Sequence, residues 1–328
     1  MPSAFAARST VKPLVIQRGA ASPRGWPTTT QLLEPAEFSV VPTYSPSVTA
    51  IVDDALIQEA LLKLGATKLA ELTPGGQKVV LHVTRGDDEL VMKVVSIRSS
   101  TPNTLKRAER EVAALARMSS PHVVRVASEL VELGTPVTGA AWLEELLDGD
   151  DLTAGLTTQW SWTDAAKLGI EVGRGLGAGH AQGVVHRDLS SNNVRRLSNG
   201  DFKVMDFGFA RHTLLSGITV AGQPGTPGFL SPEHLNGYSG GPTPASDVFC
   251  VGILMFGALT NQWPFPWNGD DADYVRRLSA NQMTPLGVLR PDLNADQLAF
   301  MARCMHRQPA RRFLDGNRMA DALAGVPE

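Results

Sequence analysis

The chain has 328 residues at 35.1 kDa, with 43% hydrophobic and 19% charged residues, a globular composition that excludes a disordered chain. Its 30 basic and 33 acidic residues leave a net charge of -3, which argues against a chain-wide electrostatic grip on nucleic acid or an anionic membrane. Two cysteines, Cys250 and Cys304, cannot build a disulfide framework or complete a Cys-rich zinc site, and they point to a reducing, cytoplasmic setting.

Residues 1–50 are rich in Ser, Thr and Ala, with Pro2, Pro13, Pro23, Pro27, Pro35, Pro42 and Pro46 interrupting any regular element, so they read as an irregular extension. Arg8, Lys12, Arg18 and Arg24 precede the first acid, Glu34. A transit peptide is basic and acid-poor in this way, but a flexible basic tail is the simpler reading. Across residues 51–65, Leu56, Ile57, Ala60, Leu61 and Leu64 recur at helical spacing and Gly65 supplies a stop, so an amphipathic helix should cover the surface of the domain that follows.

Residues 67–96 read as three strands, with Arg85-Gly86-Asp87-Asp88 as a hairpin turn between Lys78–Thr84 and Glu89–Val95. A helix over 104–118 carries Leu105, Ala108, Val112 and Leu115 along one side, and further short strands are expected between Val123 and Leu147. After Gly149 the pattern is mainly helical, broken by a loop-rich stretch at 186–233. The class is therefore α+β, with a small β-rich lobe at 66–147 and a larger helical lobe at 148–328. The apolar run Phe249–Thr260 is 12 residues, short of the roughly 20 that span a bilayer, and reads as a helix buried on all sides. No membrane span is expected.

The chemistry concentrates in the loop-rich stretch. His186-Arg187-Asp188-Leu189-Ser190-Ser191-Asn192-Asn193 fits the pattern H-R-D-L-x-x-x-N, and Asp206-Phe207-Gly208 follows 18 residues after Asp188. Gly225-Thr226-Pro227-Gly228-Phe229-Leu230-Ser231-Pro232-Glu233 comes next, with Asp247 to Gly252 and then Arg312 beyond it. Upstream lie Val91-Met92-Lys93 and Glu111. In this order the segments resemble the Hanks-type protein kinases of the Ser/Thr class over about residues 66–320.

That resemblance implies a bilobal kinase-like fold with ATP and Mg²⁺ between the lobes and a protein as phosphoryl acceptor. Lys93 would hold the α- and β-phosphates, oriented by Glu111. Asn193 and Asp206 would offer hard oxygen ligands to Mg²⁺. Asp188 would take the proton of the attacking hydroxyl, and Arg187 would hold a phosphorylated loop. Gly75, Gly76, Val80, Val91, Glu145 and Leu147 complete the expected nucleotide site, with adenine met by the backbone of the 145–147 hinge. Arg312 would pair with Glu233. Thr219, then Ser216, is the expected activation-loop phosphosite.

Three departures from the family pattern stand out. The glycine loop, Thr73 to Val80, keeps only its middle glycine as Gly75 with Gly76 beside it, and Lys78 could meet phosphate as a charge instead. Ser190 occupies the place where Ser/Thr kinases usually carry a lysine that touches the γ-phosphate. Glu144 falls at the gatekeeper and Arg195 beneath the base, which means either a strand alignment shifted by one residue or an unusual pocket. The altered loop and pocket leave a second function open, a pseudokinase that binds without transferring. A small-molecule kinase of related fold fits less well, because such enzymes generally lack the segment that ends at Glu233.

Overall fold

The computed structural model describes residues 52–73, 78–97, 104–207, 228–235, 241–266 and 268–328, all within one compact unit, Val48–Glu328. The extension 1–50, Gly75, Gly76, Ser216, Thr219, Thr226 and Trp267 lie outside the described residues. So does the glycine of Asp206-Phe207-Gly208.

The chain enters through α1 (Asp54–Leu64), whose first turn is capped by the Asp53 carboxylate accepting from the Leu56 amide at 2.9 Å. It ends at Gly65, whose φ of 62° is the left-handed conformation a glycine adopts without steric cost. Strands β1 (Thr67–Thr73), β2 (Lys78–Arg85) and β3 (Asp88–Ser96) follow, then α2 (Thr104–Arg117), β4 (Val131–Leu133) and β5 (Gly139–Glu145). The strands form one antiparallel sheet in the order β1-β2-β3-β5-β4.

Alternation along these strands divides the sheet into two unlike faces. Val79, Leu81, Val83, Leu90, Met92, Val94, Ala141 and Leu143 point one way and are covered by Leu56, Ile57, Ala60 and Leu64 of α1. This is the surface the amphipathic helix requires. On the opposite face, Val80 pairs with Lys93, Lys93 with Trp142, Lys78 with Val95 and Val91 with Glu144. Ala108 and Val112 of α2 close part of that face against Val95, Ala140 and Trp142.

The second lobe opens with β6 (Gly149–Asp151), which joins β7 (Val194–Leu197) and β8 (Phe202–Val204) in a small sheet ordered β6-β7-β8 beneath the first lobe. Helices α3 (Leu152–Gly155), α4 (Trp162–Ala181), α5 (Pro244–Thr260), α6 (Asp271–Ala280), α7 (Leu286–Leu289), α8 (Ala295–Cys304) and α9 (Gly316–Ala324) form the body. Every residue of α5 from Ala245 to Thr260 is buried, which explains its apolar run without a membrane. Among the described residues no helix is long and apolar enough to cross a bilayer. Helices α4 and α9 approach closely at Gly173 and Gly316: a Cβ on Gly316 would fall 2.2 Å from the Gly173 carbonyl oxygen, which no side chain tolerates.

Candidate active site

The charged face of the first sheet looks onto the loop that precedes β7. Lys93, 5% exposed, is surrounded by three carboxylates: Glu144 Oε1 at 2.8 Å, Glu111 Oε1 from α2 at 3.2 Å, and Asp206 Oδ1 from the loop after β8. Lys78 reaches the same Asp206 oxygen at 3.0 Å from β2. Burial pulls the Lys93 ammonium down, but Asp206, Glu144 and Glu111 outweigh it and hold the group well above the usual lysine value. Burial also pushes the Asp206 carboxyl up, yet Lys93 and Lys78 reverse the direction and keep it far below the carboxylate range. Glu111 goes the other way. Burial raises it, and Lys93, shared with two other acids, does not make good the loss of water.

Beneath this cluster the loop of residues 186–193 is held by groups far from it in sequence. Asp247, at the start of α5 and 0% exposed, accepts from the amides of His186 at 2.8 Å and Arg187 at 2.9 Å, and from His180 Nε2 at 2.9 Å. Those bonds support Arg187 at φ 68° and, downstream, Asp206 sits at φ 56°, a region that residues with a Cβ seldom adopt. Asn193 Nδ2 donates to the Asp188 carbonyl at 2.7 Å, which orients the amide and leaves its oxygen as an acceptor. His234 bridges to the segment ending at Glu233: Ser231 hydroxyl and amide meet Nδ1 at 2.8 and 3.1 Å, and Nε2 meets the Arg187 carbonyl at 3.0 Å. Burial lowers the His234 pKa, so the ring is neutral with its proton on Nε2.

A cavity of about 270 Å³ is lined by Lys78, Glu111, Asp188, Asn193 and Asp206 on its polar side and by Val95, Ala108 and Trp142 on its apolar side. Asp206 and Asn193 supply a carboxylate held ionised and an amide oxygen, the hard donors that suit Mg²⁺ completed by phosphate and water. Among the described residues no group of three or more His, Cys, Asp or Glu side chains is arranged to hold a metal alone. Phosphate oxygens or waters would have to complete such a shell.

The sequence-predicted residues Lys93, Glu111, Asp188, Asn193 and Asp206 thus meet in one cleft, with Val80 and Val91 on its strand wall by register. Arg187 lies one residue from Asp188 on the strained loop. The hinge follows β5: Glu145 accepts from Lys203 Nζ at 2.6 Å and from the Arg125 amide at 2.8 Å, and the Leu147 side chain packs into the larger lobe's core. Their side chains are thus engaged in structure. The shifted-strand alternative for Glu144 fails, because Leu143 points into the α1-covered core while Glu144 sits on the cleft face at 3% exposure. Arg195 lies on β7 opposite Lys203 and Asp151, with its Nε buried and unbonded among the described residues. Sequence reasoning missed the clamp by Asp247, the bridge by His234 and the third acid on Lys93. Only the last had a signal, an acid that directly follows the apolar run Gly139 to Leu143 and still lies within the strand.

Residues 68–320 match the family model for the protein kinase domain, and the chain belongs to that family. Among curated proteins it is similar to serine/threonine-protein kinase drp72 of Corynebacterium efficiens, 30% identical over 246 residues, covering 73% of this chain and 46% of that protein. It is also similar to two proteins of Mycobacterium tuberculosis. These are serine/threonine-protein kinase PknK, 29% identical over 264 residues (78% of this chain, 23% of PknK), and PknA, 30% identical over 232 residues (70% and 52%). The chain spans about half or less of the length of these relatives.

Proposed function

We propose that the chain transfers the γ-phosphoryl group of ATP to Ser or Thr hydroxyls of protein substrates, in a reducing cytoplasm where Cys250 and Cys304 stay as buried thiols. The observation that carries this reading is the convergence of Glu111, Asp188, Asn193 and Asp206 on one cavity, with Lys93 paired to Glu111 and Asp206 at its wall. Phosphoryl transfer asks little covalent chemistry of a protein; it asks for positioned positive charge around the transferred oxygens and an acceptor for one proton. Lys93 meets the α- and β-phosphates, with Glu111 holding its ammonium in place. Asp206 and Asn193 hold Mg²⁺, which neutralises charge on the phosphates. Asp188 accepts the proton of the attacking hydroxyl. The Glu145 and Leu147 backbone receives adenine, Val80 and Val91 pack on it, and Gly75-Gly76 covers the phosphates. Arg187 receives a phosphate on Thr219 or Ser216, placed there by the chain itself, in charge-assisted hydrogen bonds.

Against the binding-only alternative stands the cost of what is built here. Keeping three acids around a buried lysine suits a pocket that receives Mg²⁺ and triphosphate, which speaks against a nucleotide-free binding module; a nucleotide-dependent one is separated from the kinase only by transfer. The test is labelled ATP with Mg²⁺ and a generic basic protein, for native chain and Asp188→Asn. Transfer should fall by about 10²–10⁴-fold in the variant, the range for loss of a positioned proton acceptor. Nucleotide binding without transfer in the native chain would move the binding-only reading ahead.

A further inference from the structure

The cleft holds a second lysine that the family pattern does not assign. Lys78 lies on β2, in register with Val95 and two residues before Val80, so alternation puts it on the same face as Lys93. Its ammonium is 3.0 Å from Asp206 Oδ1 and lines the same cavity as Asp188 and Asn193. It differs from Lys93 in one respect that matters. Lys93 is 6% exposed in its side chain and locked among three acids, whereas Lys78 is 36% exposed and, among the described residues, pairs with Asp206 alone.

The opposite wall of the cleft carries a serine where the family pattern places a lysine. Ser190 follows Asp188 by two residues, is 1% exposed, and its Oγ has no hydrogen-bond partner among the described residues. A neutral, sunken hydroxyl at this point offers nothing to a transferring phosphoryl group. Around the cleft the carboxylates of Glu111, Glu144, Asp188 and Asp206 outnumber the cations Lys93, Lys78 and Arg107, so an arriving triphosphate meets an excess of negative charge. A lysine on a four-carbon stem can swing from a carboxylate to a phosphate without moving the backbone.

We propose that Lys78 is the cation that binds the γ-phosphoryl group, supplied from strand β2 in place of a lysine on the catalytic loop. In the resting site Lys78 neutralises Asp206. With Asp206 engaged by Mg²⁺, Lys78 would be free to reach the terminal phosphate and to meet the charge that develops there. The inference rests on the ATP-dependent reading above, and it separates from that reading because it concerns one phosphate only. Lys93 serves every nucleotide; Lys78 serves the triphosphate.

The experiment compares Mg-ADP with the Mg complex of the β,γ-imido analogue of ATP, by titration calorimetry on the full chain, in native protein, Lys78→Met and Lys78→Arg. Lys78→Met should weaken the triphosphate about 10-fold, the loss of one charged hydrogen bond, and leave Mg-ADP within about 2-fold. Lys78→Arg should recover most of the triphosphate affinity, because the charge is retained. Transfer in Lys78→Met should fall further than binding, by about 10²-fold, as expected for a donor aimed at developing charge. Equal weakening of both nucleotides would mean that Lys78 acts through Asp206 and the metal, and overturns the proposal. Unchanged binding of both nucleotides also overturns it. Failure of the native protein to bind either nucleotide is a different result, which removes the kinase reading itself.

Discussion

The buried charge clusters around Arg312 and around Lys93 are built on opposite plans. Around Arg312 the accounts of charge and hydrogen bonding both close. Its Nη1 and Nη2 meet Glu233 Oε1 and Oε2 at 2.7 and 2.8 Å, and its remaining donors reach the carbonyls of Ala245, His306 and Arg307. The guanidinium also lies 4.6 Å from the Phe249 ring centroid. One cation faces one anion, and every N–H is used. Around Lys93 the hydrogen bonds close but the charge does not, since three acids share it and only Lys78 assists. The first plan ties the end of the activation segment to the helical body. The second leaves a cleft with unmet negative charge. Imbalance, more than burial, separates the working cluster from the scaffold.

The sharpest way to break that comparison is to remove one member of the balanced pair. Arg312→Met leaves Glu233 buried at 4% exposure with Ser246 Oγ as its nearest remaining donor. The cost should be about 3–5 kcal/mol of unfolding free energy, the penalty for an uncompensated buried charge. Adding Glu233→Met in the same chain should restore most of it, since two apolar side chains replace the pair without leaving a charge behind. Urea unfolding measures both. A single variant that unfolds at the native midpoint would show that water reaches Glu233 and that the pair is not scaffold.

How far each cluster could be read beforehand follows from where its residues come from. Lys93, Asp188, Asn193 and Asp206 stand in short motifs, and the strands and helices around them are legible from alternation and 3.6-residue spacing, from α1 through β3. Glu233 with Arg312 was legible too, because both sit at recognisable positions in the family pattern. Asp247 and His234 were not. Asp247 lies 60 residues from the Arg187 amide it holds, and an acid at the first turn of a helix looks the same whether it caps that helix or clamps a distant loop. His234 resembles any scattered histidine until the fold brings the Arg187 carbonyl to it. Contacts set by tertiary closure leave no local period to detect.

The His234 bridge gives a comparison by pH. Burial, partly opposed by Asp247 and Glu233, depresses its pKa, so below about 6.5 the unfolded chain takes up a proton that the folded chain refuses. Stability should therefore fall as pH drops from about 7 toward the depressed folded value, by up to about 1.4 kcal/mol per unit. Asp206 and Asp247, held low, lose their contributions only as pH falls below about 3.9 and through their folded values. Glu111, held high, works the other way, favouring the fold as it is protonated. It is common to both chains when native protein is compared with His234→Gln, so the difference isolates the histidine. Melting temperature between pH 7.5 and 5.5 should fall less steeply in the variant. Parallel slopes would show that His234 is protonated in the folded state as readily as outside it.

The smallest effect, and the one that bears most directly on charge imbalance, belongs to Glu144. In Glu144→Gln the amide oxygen can still accept from Trp142 Nε1, which now meets Glu144 Oε1 at 2.8 Å, and Lys93 keeps Glu111 and Asp206. What disappears is one of three like charges that repel each other across the lysine; Glu144 is among the groups that hold Glu111 up. Lost attraction to Lys93 and relieved repulsion nearly cancel, so unfolding free energy should change by less than about 1 kcal/mol in either direction. A loss near that of Arg312→Met would mean that Lys93 and Glu144 form a closed pair of the scaffold kind, with Glu111 and Asp206 as bystanders. An acid that can be neutralised at little cost to the fold is one whose charge the fold did not need, and its retention in the cleft then points to the ligand.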